Sequence, residues 1–142
     1  MIILDTNVLS ELMKPKKSEI VRDWAAQQSL MSLFTTTITQ AEILYGIALL
    51  PAGKRRDELS QAAQLMFSED FAGRILPFDQ VAAVAFANIA SQRRYNGIPI
   101  SQPDAQIAAI CHTHMATIAT RNVSDFEGCG ISIINPWDFA RK

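Results

Sequence analysis

Four acids in the chain stand where a short apolar run gives way to the next element. Asp5 follows Ile2-Ile3-Leu4, Glu42 precedes Ile43-Leu44, Asp104 lies three residues after Ser101, and Asp125 stands before Phe126. Each has an ordinary local explanation. Asp5 could cap a following helix, Asp104 is favoured in a first helical turn by the dipole, and Asp125 suits a turn. Thr39-Gln40-Ala41-Glu42 fits a capping box, with Glu42 reaching back to the Thr39 backbone N–H. Taken together they ask for more. Carboxylates gathered in one crevice repel one another and drive some pKa values upward. A hard divalent cation removes that repulsion: Mg²⁺ prefers oxygen ligands, keeps several waters and is usually held by one or two carboxylates, and Mn²⁺ suits the same donors.

The elements that would position these acids are legible from pattern. Residues 2–5 read as a buried strand, followed by a helix from about Asn7 that Lys14-Pro15 ends. Ser18 caps a second helix, in which Ile20, Val21, Trp24 and Ala25 recur at helical spacing. Residues 31–37 predict a strand with β-branched threonines, and Thr39 opens a helix that Pro51 halts. A further helix spans about 54–67 and a strand 74–78. Asp79 caps a helix to Tyr95 that stops at Asn96-Gly97. Ser101-Gln102-Pro103 starts another, running to about His114. Strands at 117–120 and 131–134 flank a turn region, 121–130. Such alternation predicts an α/β fold with a mainly parallel sheet and helices on both faces. In open sheets of this kind sites form beyond the C-terminal strand ends, where Asp5 falls.

A length of 142 residues predicts one domain, 1–142, with a core of its own. The hydrophobic fraction of 49% and charged fraction of 19% are those of a folded globular chain. No apolar run approaches the roughly 20 residues of a membrane span, the start MIILDT lacks a secretory pattern, and two cysteines make no disulfide framework. A cytoplasmic protein is expected. A net charge of −1 argues against binding duplex nucleic acid by phosphate neutralisation alone. The basic residues Lys54-Arg55-Arg56, Arg74 and Arg93-Arg94 read as solvated helix faces.

The stretches "IILDTNVLSEL", "TTTITQAEILYGI", "PDAQIAAIC" and "ATRNVSDFEGCGISIINPW" resemble, in order, the motifs of PIN-domain endoribonucleases, most nearly the VapC/FitB-type toxins of bacterial toxin–antitoxin pairs. The similarity spans residues 1–137. It implies a three-layer α/β/α domain with an acidic pocket for Mg²⁺ or Mn²⁺. Carried over by motif, Asp5 and Asp104 are metal ligands, and Glu42 is a third acid that orients a water or completes a second metal site. The last acidic position of the family falls within "TRNVSDF", where Asn122 is an amide and Asp125 follows three residues on. Either could fill it. In supporting roles, Thr6 hydrogen-bonds a carboxylate or water, Asn7 caps the first helix and Thr120 lines the pocket.

The implied activity is hydrolysis of RNA phosphodiester bonds, with a cation activating water and no covalent protein nucleophile. The implied partners are a cognate antitoxin and a second copy in a homodimer, with DNA reached only through the antitoxin. Another class of function stays open: a catalytically silent PIN-like binding module, favoured by Asn122 and opposed by the presence of Asp5, Glu42 and Asp104. A zinc site at Cys111-His112-Thr113-His114 is disfavoured, since the histidines project to different helix faces and no CxxC accompanies them. A dehalogenase-type phosphotransferase would need an aspartate where Asn7 stands.

Overall fold

Ile2, Ile3 and Leu4 form a strand that must be apolar in both directions, because helices cover both faces of a parallel sheet. In the computed structural model, which describes residues 1–140, this strand is β1 (Ile2–Leu4). The last two residues of the expected domain 1–142 lie outside the described residues. β1 sits between β2 (Leu33–Thr36) and β4 (Thr117–Ala119), with β3 (Ile75–Leu76) and β5 (Ser132–Ile134) at the edges. The order is β3-β2-β1-β4-β5 and every pairing is parallel.

Register sorts the core into two. Ile3 pairs with Phe34 on one side and Ile118 on the other, and Leu4 pairs on the β4 side with Ala119. Side chains alternate along a strand, so these rows point to opposite faces. Ile3 and Ile118 pack with Ile89 of α5 (Gln80–Tyr95) and with Ile107 and Ile110 of α6 (Gln102–Thr113). Leu4 and Ala119 pack with α1 (Thr6–Met13), α2 (Glu19–Ala26), α3 (Thr37–Ala48) and α4 (Lys54–Leu65) through Leu9, Trp24, Ile43 and Ala63. The expected three layers are present. Right-handed crossovers explain them: the chain moves outward from β1 to β3, then returns across the sheet to β4, which changes the face its helices cover. Strand order reverses between β1 and β4, and in open parallel sheets sites form beyond the C-terminal strand ends at such a point.

Caps follow the expected chemistry at three helices. Ser18, Asp79 and Ser101 each accept a backbone N–H from the first turn, those of Val21, Ala82 and Asp104. Elsewhere the boundaries move. α3 begins at Thr37 rather than Thr39, because the Oγ1 of Thr36 accepts the Thr39 backbone N–H at 3.1 Å. Four nearby threonines offer the same hydroxyl, and the extended backbone of Thr36 at the end of β2 is what places its Oγ1 over the first turn. Residues 30–32 form a 3₁₀ turn before β2, and β3 is only two residues long. The 121–130 segment contains a short helix, α7 (Val123–Phe126), whose Phe126 fills the core. Among the described residues no helix is long and apolar enough to cross a membrane.

Candidate active site

Asp5 is the residue at which β1 becomes α1. Its backbone N–H still belongs to the sheet, donating to Ala119 O at 2.9 Å. Its side chain already serves the helix, with Oδ1 accepting the Thr6 N–H at 2.8 Å. Oδ2 accepts the Thr120 hydroxyl at 2.7 Å and the Asn7 amide at 3.2 Å. The cap of α1 is therefore Asp5 and not Asn7. Asn7 instead ties β1 to β4: its Nδ2 also donates to Thr120 Oγ1, and its Oδ1 accepts the Arg121 N–H. Thr120 is itself fully buried against the Asp5 carboxylate.

Burial decides the charge of Asp5. Only 5% of the residue is exposed, and this desolvation raises its carboxyl from 3.8 to about 6. Hydrogen bonds from Thr120 and Thr6 pull the other way and lose. The charges of Asp104 and Glu42 add to the rise.

Glu42 does not close a capping box, since the Thr39 N–H is taken by Thr36. It reaches across to α1, where its Oε1 accepts the Thr6 hydroxyl at 2.9 Å. Thr6 thus hydrogen-bonds a carboxylate, and its oxygen lies 3.1 Å from that of Thr39. Asp104 occupies the first turn of α6, where burial raises its carboxyl; the hydrogen bond with Ser101 opposes the rise, Asp125 adds to it and Arg93 opposes it.

Asp125, in α7, is exposed, and its charge is the acidic one acting on Asp104. Asn122 precedes α7 and makes no side-chain cap; its backbone N–H donates to Thr120 Oγ1 at 3.1 Å. The four acids form one electrostatic series, Glu42 to Asp5 to Asp104 to Asp125, and Asn122 is not part of it.

The donors are hard oxygens. Cys111 lies behind Asp5 with its thiol driven up by burial and then by the Asp5 charge, so it stays neutral and is a poor ligand. Among the described residues no three His, Cys, Asp or Glu side chains converge on one point. Two carboxylates with water completing the shell is the set that suits Mg²⁺ or Mn²⁺, so Asp5 and Asp104 fit.

Two arginines do not behave as the sequence predicts. Arg74 and Arg93 are 6% and 5% exposed, and both spend their guanidinium on backbone carbonyls rather than facing solvent. Gly128, at φ +76° in a turn near the Arg93 stem, is the one sequence signal that could have pointed to a turn there. At the rim, the Arg121 guanidinium stacks 4.8 Å from the Trp137 ring. A groove of about 700 Å³ runs from Thr6 and Glu42 between α1, α3 and α4, past Met13, Ile47, Arg55 and Leu59.

Comparison with known proteins identifies the family and the fold. Residues 2–127 match the family model of the PIN domain. The chain is 41% identical over 138 residues to the VapC ribonuclease Y4jK of Sinorhizobium fredii, covering 97% of this chain and 99% of that protein. It is 39% identical over 137 residues to toxin FitB of Neisseria gonorrhoeae, covering 96% and 99%. A solved structure of FitAB bound to an IR36 DNA fragment superposes with a TM-score of 0.92 at 38% identity, covering 99% of each chain.

Proposed function

The chain belongs to the PIN-domain family, and from that premise we propose that it is a metal-dependent endoribonuclease, the toxin of a toxin–antitoxin pair. The observation that carries the reading is the buried, charge-strained Asp5, coupled to Asp104 and Glu42 at the point where the strand order reverses. A structural cap has no need of such strain, and a cation would relieve it.

Asp5 and Asp104 would hold Mg²⁺ or Mn²⁺. A bound cation supplies the acidity that activates a water and neutralises charge on the phosphate. The protein supplies orientation. Thr6, Asn7 and Thr120 fix both oxygens of Asp5 before any ligand arrives, so little rotamer freedom remains to be lost. Glu42, steadied through Oε1 by Thr6, keeps Oε2 to take the proton of the attacking water. Asp125 completes the acidic series in place of Asn122. Without a cation these acids repel RNA; with one, an almost neutral protein accepts a polyanion.

The groove beside Glu42 suits an antitoxin segment with an apolar face and a basic side chain that reaches the acids, displacing the cation. FitAB, crystallised on DNA, is the assembly this chain would form with its own antitoxin, as a homodimer in the cytoplasm whose DNA contacts belong to the antitoxin. A second reading, a silent PIN-like binding module, keeps one observation in its favour: the amide of Asn122 at a position the family fills with an acid.

The test is direct. Purified protein is incubated with RNA, with and without Mg²⁺ or Mn²⁺, beside Asp5→Asn and Asp104→Asn. Metal-dependent cleavage lost in both variants is the expected result. Cleavage indifferent to chelator and to both substitutions sinks the mechanism, and intact RNA throughout favours the silent module.

A further inference from the structure

Arg93 ends α5, yet its guanidinium is occupied by two segments that lead to different acids. Nε donates to Ile98 O at 2.7 Å, and the Ile98 N–H returns a bond to Arg93 O at 2.9 Å. This closes the turn from α5 to Ser101, which caps the helix bearing Asp104. Nη1 donates to Asp125 O at 2.9 Å and Glu127 O at 2.8 Å, and lies 3.5 Å from the Cys129 sulfur. Those bonds hold the turn bearing Asp125. Gly128 lies close enough that an added Cβ would sit 3.7 Å from the Arg93 Cδ, so the turn is folded down onto the arginine stem.

No carboxylate forms an ion pair with Arg93 among the described residues. A buried cation without a counter-ion is expensive unless other polar groups solvate it. Here backbone carbonyls from two separate segments do so, that of Ile98 and those of Asp125 and Glu127. One side chain therefore bridges the turn that leads into the helix of Asp104 and the turn that carries Asp125.

We propose that Arg93 is a positioning residue that sets Asp125 against Asp104 and so governs how tightly the divalent cation is held, without touching cation or RNA. The inference rests on the nuclease reading. Outer partners of metal ligands typically change affinity by 10- to 100-fold when altered, whereas an arginine that merely staples loops together changes stability alone.

Arg74 provides the control. It is as buried, its guanidinium also donates to backbone carbonyls (those of Leu30, Leu33 and Asp70), and it makes no bond to the segments that carry Asp104 or Asp125. Mn²⁺ binding is measured by the loss of the free-ion paramagnetic resonance signal, below the melting point of each protein. The panel is wild type, Arg93→Lys, Arg93→Gln and Arg74→Lys. Arg93→Lys keeps the charge and loses the fork; where Arg93→Gln does not fold, it carries the test. The expected result is Mn²⁺ affinity at least about 10-fold weaker in the Arg93 variants and unchanged in Arg74→Lys. Affinity within twofold of wild type in a folded Arg93 variant overturns the inference alone, as does an equal loss in Arg74→Lys. Failure of the wild type itself to bind Mn²⁺ removes the metal reading and the inference with it.

Discussion

The strain on Asp5 makes a prediction about stability that needs no substrate. Burial holds its folded carboxyl at about 6, against 3.8 for the free group. Between those values the folded state binds more protons than the unfolded one, so stability falls as pH rises through the window. At about 1.4 kcal/mol per pH unit, ionised Asp5 opposes folding by about 3 kcal/mol above the window and by nothing below it. Asp5→Asn removes the charge at every pH. The amide keeps the oxygen that caps α1 but presents N–H groups where Thr120 and Asn7 donate, a mismatch worth about 1 kcal/mol. In chelator, therefore, the variant is more stable than wild type by about 2 kcal/mol near pH 8, and less stable by about 1 kcal/mol below about pH 3. Melting entropy for a chain of this size makes each kcal/mol about 3 °C. Thermal melts across pH should show the variant about 6 °C higher at the alkaline end, with the curves crossing between about pH 4 and 5. Saturating Mn²⁺ should raise the wild type by about 2–3 kcal/mol and leave the variant unmoved. A variant uniformly less stable than wild type at all pH values refutes the claim that burial dominates Asp5.

Three further outcomes test neighbouring contacts. Thr120→Val removes the hydroxyl donated to Asp5, so its carboxyl rises further; stability should drop by about 1–3 kcal/mol near pH 8 and by less near pH 4, read from the same melts. Thr36→Val removes the true cap of α3 and should lower stability by about 1–2 kcal/mol, or about 3–6 °C, with no dependence on Mn²⁺. Asp125→Asn should weaken Mn²⁺-dependent RNA cleavage about 10-fold while Asn122→Ala leaves it unchanged; the reverse pattern assigns the fourth position to Asn122.

What the sequence made legible, and what it hid, separate along a physical line. Periodicity and breakers located every helix but the shortest, because Pro15, Pro51, Gly97 and the caps Ser18, Asp79 and Ser101 act through local backbone chemistry. The place of Asp5 at the end of β1 was legible for the same reason, since the sheet topology follows from alternation and β1 borders the point where strand order reverses. The start of α3 was not, because four threonines compete for one cap and only the residue at which β2 ends chooses among them. Glu42 was misplaced in consequence: a capping box is a local pattern, whereas its partner Thr6 lies on another helix. Buried arginines escape most completely. Arg93 shares a charged dipeptide with Arg94, and nothing in that pair says which one turns inward. The difference arises from carbonyls contributed more than thirty positions away by a turn that Gly128 closes at positive φ. Ligands can thus be read from a chain one at a time, but the groups that set the distance between ligands cannot. Those groups belong to the fold, and the one proposed here, Arg93, is a cation bonded to carbonyls that come from separate segments.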